Sequence, residues 1–340
     1  MSVGAVIEAA PARSALISRP AAADDATLSV DRPFPGLRPF GFADRDFFFG
    51  RERQTFALYR LVENGRFIAV IGSSGAGKSS LVLAGLRRLL AEETADPGGP
   101  SWVCLEMRPG ATPLERLAKA LARLADKDSP DEAARRTEEI EYRLRQSSFS
   151  FESALDAAGG LRDRRLFLIV DQFEELFRFG LAGLGLHRAK IEENRARDEA
   201  TQFVQILLDA DRRRLKDVRV LITMRSDFIG DCAHFHGLSE AVSATQYLVP
   251  NLTRSQLEGV ICKPVENAGA AIEPELVERL LNDSADELDQ LPVLQHCLMR
   301  LWDRACATNR EGPRRLTRQT YDDIGRMSDA LSRHADEVMA

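Results

Sequence analysis

The chain has 340 residues, enough for about two domains. Its 44% hydrophobic and 29% charged residues lie in the range of ordinary globular proteins and argue against a wholly disordered, collagen-like or membrane-embedded chain. With 46 Lys and Arg against 52 Asp and Glu the net charge is −6, so no basic excess points to nucleic acid. The five cysteines (Cys104, Cys232, Cys262, Cys297, Cys306) are odd in number and never spaced as CxxC, and read as reduced thiols of a cytoplasmic protein.

Residues 1–30 are rich in Ala, Ser and Pro and are predicted to be a flexible tail that cannot bury enough apolar surface to order itself. The tail lacks a basic start and Glu8 interrupts its one apolar stretch, so it does not read as a secretory signal. No apolar run reaches the 18 or so residues that span a bilayer. From Asp31 the segment PFPGLRPFGFADRDFFFGRE, dense in Phe, Gly and Pro, predicts a packed, irregular opening loop. A helix over 52–64, a strand over 66–71 and a helix over 78–90 follow. After a Pro/Gly break at 96–100 come a strand near 102–105 and a charged helical stretch over about 113–158. A strand over 166–170, a helix over 197–208 and strands over 218–223 and 246–249 complete the region. Strands alternating with helices predict an α/β domain over 31–250 with a mostly parallel sheet covered on both faces.

Beyond Pro250 the pattern turns helical. Thr253 starts a helix over 254–268, and others follow over 273–282, 291–307 and 318–327. In the third, Leu294, Leu298, Leu301, Trp302 and Ala305 share one face, which reads as core. No strand is predicted here, so residues 251–340 read as an all-helical lid subdomain. The last segment, SDALSRHADEVMA, is still amphipathic, and no internal repeat is present.

The chemistry concentrates at Gly72-Ser73-Ser74-Gly75-Ala76-Gly77-Lys78-Ser79, with Ser80 behind it, which matches G-x-x-x-x-G-K-[ST]. About one chain in a hundred of this length would hold the pattern by chance at ordinary residue frequencies. Here an apolar strand runs straight in and a helix straight out, as a phosphate-binding loop requires. Glycines let the backbone curl so that successive N–H groups face phosphate oxygens, and the helix adds its positive N-terminal dipole. In such a loop Lys78 reaches the β- and γ-phosphates and the Ser79 hydroxyl holds Mg²⁺.

A second signal is LFLIV running into Asp171-Gln172-Phe173-Glu174-Glu175. A carboxylate at the end of a buried strand sits at the sheet edge where the phosphate loop also lies, so Asp171 is the candidate for the Mg²⁺ shell. Hydrolysis needs a carboxylate to orient water, and both Glu174 and Glu175 are candidates, Glu175 being preferred. The strand over 218–223 delivers Arg225, a charged donor suited to sensing the γ-phosphate or to pairing with Asp227 or Asp171. Residues 232–236 (CAHFH) lack a second ligand cluster at zinc-like spacing, and His296 lies within an apolar helix, so neither reads as a metal or catalytic site.

In combination, PFPGLRPFGFADRDFFFGRE, VIGSSGAGKSSLVLAGL, LFLIVDQFEELF, LITMRSDF and LPVLQHCLMRLW resemble the STAND class of P-loop signalling ATPases. The likeness is strongest to the novel STAND NTPase domains of bacterial WD-repeat proteins. The motif DQFEEL is also similar to the DGhDEL pattern of NACHT ATPases. The resemblance implies ATP as ligand, a five-stranded sheet in the order 5-1-4-3-2, and Gly50-Arg51-Glu52 against the adenine or ribose. It implies that Pro292 corresponds to the lid proline of the family's GLPL-type motif, with Gln290 in place of the usual glycine. It further implies a Mg²⁺-dependent switch with slow ATP hydrolysis, acting through self-association or protein partners in a regulatory or defence setting. The family often continues into winged-helix, effector and repeat regions, so this chain reads as a minimal ATPase core, a fragment or a partner of separate parts. A non-hydrolysing nucleotide-binding scaffold and a DNA-processing motor are the other readings, the latter poorly supported by the acidic balance.

Overall fold

A computed structural model describes residues 28–29, 31–95, 101–125, 129–146, 150–161, 163–180, 190–212, 215, 217–285, 290–308 and 314–327. The predicted tail (apart from Leu28 and Ser29), the 96–100 break and the amphipathic segment over 328–340 lie outside them. Helix α1 (Glu52–Asn64) leads into β1 (Phe67–Gly72). The predicted helix after the phosphate loop is longer than expected: α2 (Lys78–Ser80), a wide π-helical stretch (Leu81–Leu86) and α3 (Arg87–Ala95) follow one another directly. Then come β2 (Ser101–Met107), α4 (Pro113–Ala122), α5 (Pro130–Gln146), α6 (Ser150–Ala157) and β3 (Arg164–Val170). The sheet region continues with α7 (Glu175–Gly180), α8 (Lys190–Arg212), β4 (Val218–Arg225), a 3₁₀ stretch (Ser226–His234), α9 (Leu238–Ala244) and β5 (Gln246–Leu248).

The strands lie side by side as β2-β3-β4-β1-β5, all parallel, which read from the other edge is 5-1-4-3-2. Every residue of β1 is buried, because helices cover both faces of this central strand. Its side chains alternate between two cores. Phe67, Ala69 and Ile71 pack toward α4, α6 and α8, and Ile68 and Val70 toward α1 and the π-helical stretch. Register sets the functional edge: Gly72 pairs with Arg225, and Val170 with Ile222, so the ends of β1, β3 and β4 finish together.

A third core belongs to α10 (Arg254–Asn267), α11 (Pro274–Ala285), α12 (Gln290–Thr308) and α13 (Arg318–Asp323). Thr253 caps α10 as the sequence predicts: its hydroxyl accepts from Gln256 N at 3.3 Å and its own N–H donates to Gln256 Oε1 at 3.0 Å. The region is not all-helical. β6 (Ala271–Ile272) and β7 (Arg315–Leu316) pair in parallel and tie the loop after α10 to the loop before α13. Two residues per strand are too few to show a period-2 pattern, which is why the sequence does not reveal them.

The opening segment joins these regions. Phe34 is buried in the lid core, edge-on to Trp302 with ring centroids 6.2 Å apart, and the Trp302 indole donates to Asp31 O at 2.7 Å. A few residues on, Phe40 and Phe47 pack with Leu28 and Ala84 on the sheet side. Buried Asp44 locks the turn between, accepting from Leu28 N at 3.0 Å, Gly41 N at 2.8 Å and the Arg38 guanidinium at 3.0 Å. Against the pull of burial, Arg38 and these N–H groups hold its carboxyl below the usual range. Among the described residues, no helix is long and apolar enough to cross a membrane.

Candidate nucleotide site

The loop between β1 and α2 turns through left-handed backbone at Gly75 and Gly77. At Gly77, φ is +83°, a left-handed conformation that glycine adopts without strain. Lys78 is buried and its Nζ donates to the carbonyls of Gly72 (3.0 Å) and Ser73 (2.7 Å), spanning the loop's mouth. Burial lowers its pKa, outweighing the carboxylates of Glu174 and Asp171 nearby. Ser74, Gly75, Gly77, Ser79 and Ser80 line the adjoining cleft, and the Ser80 hydroxyl accepts from Phe40 N at 3.1 Å.

Asp171 is wholly buried at the end of β3. Its Oδ1 accepts from the hydroxyls of Ser79 (2.6 Å) and Thr223 (2.7 Å), and its Oδ2 from Arg108 Nε at 3.3 Å. Ser79 and Asp171, both candidates chosen from sequence, are therefore bonded to each other, and Lys78 lies close enough to feel the charge of Asp171. Thr223 and Arg108 were not chosen. Thr223 carried a readable signal, a polar residue closing a buried strand, whereas nothing near Arg108 marks it.

After Asp171 the chain turns sharply at Gln172, whose φ of +54° is left-handed. Two bonds fix the turn: Gln172 N to Thr223 Oγ1 at 3.0 Å and Phe173 N to Thr223 O at 2.9 Å. The turn separates the two candidate glutamates. Glu174 is buried and lines the cleft, close enough to Lys78 to interact electrostatically, with an oxygen 3.4 Å from Arg225 N. Glu175 instead opens α7 and is absorbed by Gly110 N at 3.0 Å. Burial raises the Glu174 pKa despite Lys78. Arg225 also lines the cleft, its guanidinium paired with Asp227 and lying over the Phe228 ring.

The cleft encloses about 1150 Å³ of empty space, part of it open to solvent. The opening segment (Gly36, Phe40, Phe48) and the helical region after Pro250 (Leu252, Leu291, Pro292) complete its wall. Arg51 lines it too, yet its buried guanidinium is committed to Pro250 O (2.6 Å) and Ala76 O (2.9 Å), clamping the phosphate loop to the start of the lid. Burial brings its pKa down to about 10. Neighbouring Gly50 is needed for close approach, since a side-chain carbon there would fall 2.8 Å from Gln256 O and from Val260 Cγ2 of α10. The exposed Glu52 bonds Gly50 N at 3.2 Å and does not line the cleft. The hydroxyl of Ser79 and the carboxylate of Asp171 are hard oxygen donors on one spot, which suits Mg²⁺. Residues 232–236 do not converge: Cys232 is buried beside Met224 while His234 faces Asp231.

A parallel sheet in this order, a glycine loop feeding a helix, and an acidic strand end bonded to the loop's serine define a P-loop NTPase. More specifically, the chain belongs to the nSTAND1 family, Novel STAND NTPase 1, whose family model matches residues 33–340. No curated protein matches the chain. Among solved structures it is similar to the Aeropyrum pernix ORC1 protein in complex with DNA, at 15% identity and a TM-score of 0.52, covering 82% of this chain and 65% of that one. It is also similar to Drosophila ORC bound to DNA (15% identity, TM-score 0.49, 89% and 66% covered). The Walker-type ATPase of Pyrococcus abyssi is a further match (14%, 0.45, 89% and 76%). The chain thus spans just under two thirds of the length of both ORC proteins. At such identity the likeness concerns the fold.

Proposed function

We propose that this nucleotide-binding NTPase is a Mg²⁺-dependent ATP switch that hydrolyses its nucleotide slowly. The observation that carries the reading is convergence: Lys78, Ser79, Glu174 and Arg225 line one cleft with Leu291 and Pro292 of α12, and Ser79 is bonded to Asp171 behind it. Phosphate oxygens would replace the carbonyls that Lys78 now bonds, trading neutral acceptors for charged ones. Ser79 and Asp171 would hold the Mg²⁺, which spreads the charge of the phosphates. Glu174 orients the attacking water for in-line displacement at the γ-phosphorus, and its buried carboxylate is suited to polarise that water. Arg225 reads the γ-phosphate by exchanging Asp227 for it. The lid is held differently with ATP than with ADP, because only ATP reaches Glu174 and Arg225, and that difference drives self-association or exposes a surface for a protein partner.

The test is calorimetry and phosphate release on the purified chain, with and without Mg²⁺, alongside its solution mass with ATP and ADP. Slow turnover with nucleotide-dependent mass or shape supports the switch. Tight binding with zero turnover supports a scaffold. A DNA arm belongs in the assay because the similar Aeropyrum pernix ORC1 structure is described as in complex with DNA. Turnover raised severalfold by DNA would replace the switch with a motor.

A further inference from the structure

Gln295 stands on α12 one turn beyond Pro292 and lines the same cleft. Its side chain is only 7% exposed, and its Oε1 is buried with no hydrogen-bond partner among the described residues. A desolvated amide oxygen is a strong acceptor held out of water with nothing in return, and folded proteins keep few of these without a reason. The reason here is one that arrives with a ligand. The lining that Gln295 shares includes Phe48, Leu252, Val260, Leu291 and Pro292, apolar side chains that suit a flat, greasy group.

The two ends of a nucleotide differ in what they offer such an acceptor. Phosphate oxygens carry no hydrogen to give and are already claimed by the loop around Lys78. The nucleoside half has donors: an exocyclic amine on the base and hydroxyls on the sugar. An apolar wall suits the base. Resting on the nucleotide reading above, we infer that Gln295 is a specificity-determining residue whose Oε1 accepts a hydrogen from the exocyclic amine of an adenine base. Guanine places a carbonyl oxygen at that position, which meets Oε1 with repulsion instead of a bond. The lid therefore selects the base as it closes, and the orphaned acceptor is satisfied only in the bound state.

The experiment measures binding of ATP, GTP, 2′-deoxy-ATP, 3′-deoxy-ATP and the triphosphate of unsubstituted purine riboside, which lacks the amine. Wild type should bind ATP about tenfold tighter than the purine analogue, the effect of one buried hydrogen bond. In Gln295→Met, which keeps length without an acceptor, ATP should weaken about tenfold and the two ligands become equal. The unliganded variant should melt at or above the wild-type temperature, because an unpaired acceptor has been removed from a buried site. A purely structural glutamine would lower that temperature and leave the ligand ratio alone. A wild-type ratio near one overturns the assignment without any variant, and so does a Gln295→Met loss that tracks the deoxy sugars. If Lys78→Ala still weakens triphosphate binding about 100-fold in those cases, the phosphate-site reading stands by itself. If wild type binds no triphosphate, both readings fall.

Discussion

On the sheet side of the cleft the charged groups are already bonded: Lys78 to two loop carbonyls, Asp171 to Ser79, Thr223 and Arg108. On the lid side, Leu291, Pro292 and Gln295 offer apolar contact and an acceptor with nothing to accept from. The loop end is therefore ordered before any ligand arrives, which lowers the ordering cost of binding, although Lys78 must exchange its two carbonyls for the ligand. The lid end is completed by what it closes on.

The largest expected effect separates chemistry from binding on the sheet side. Glu174→Gln should slow phosphate release about 10²–10⁴-fold while calorimetry shows nearly unchanged affinity. Glu175→Gln should change turnover little, since that carboxylate is spent on Gly110 N. The pH profile sharpens this. Burial raises the Glu174 pKa, and the working form is the carboxylate, so turnover should fall as pH drops through a value above that of an ordinary glutamate. A profile flat into the acid range would count against Glu174.

Next is the lid side alone. Phe34→Ala empties a buried ring position in the lid core and should cost about 3 kcal/mol or more. Fluorescence of Trp302, which Phe34 contacts edge-on, should report the loss at lower denaturant than a sheet-side probe. One shared transition would show that the two walls unfold as a unit. Lys78→Ala then breaks the preorganised wall: ATP affinity should fall about 100-fold, as expected when charge-assisted phosphate bonds disappear.

The difference between the walls also decides what could be read from sequence. The central strands were legible because burial on both faces makes them continuous apolar runs, and the phosphate loop because its glycines, lysine and serine have no freedom of spacing. Asp171 was legible as a charge closing such a run. The different surroundings of Glu174 and Glu175 were not, because the left-handed turn at Gln172 sets where each lies, and that turn is held by Thr223, 51 residues along the chain. Arg108 and the Phe34 anchor were hidden for the same reason. Each acquires meaning from a partner far along the chain, Asp171 in one case and Trp302 in the other. Gln295 sits inside a helix read as core, and only its missing partner makes it more than that.

The smallest expected effect tests whether the walls communicate. Arg225 pairs with Asp227 at the rim while its backbone N–H lies beside Glu174, so a γ-phosphate must compete with one exposed carboxylate for the guanidinium. Exchange of one partly exposed ion pair for another yields a modest gain, about 1 kcal/mol. Arg225→Ala should therefore lower the ratio of ATP to ADP affinity about fivefold and leave ADP binding almost untouched. If calorimetry instead shows both nucleotides weakened equally, Arg225 supports the site without reading its phosphates. The distinction between ATP and ADP would then rest on the lid's contacts alone.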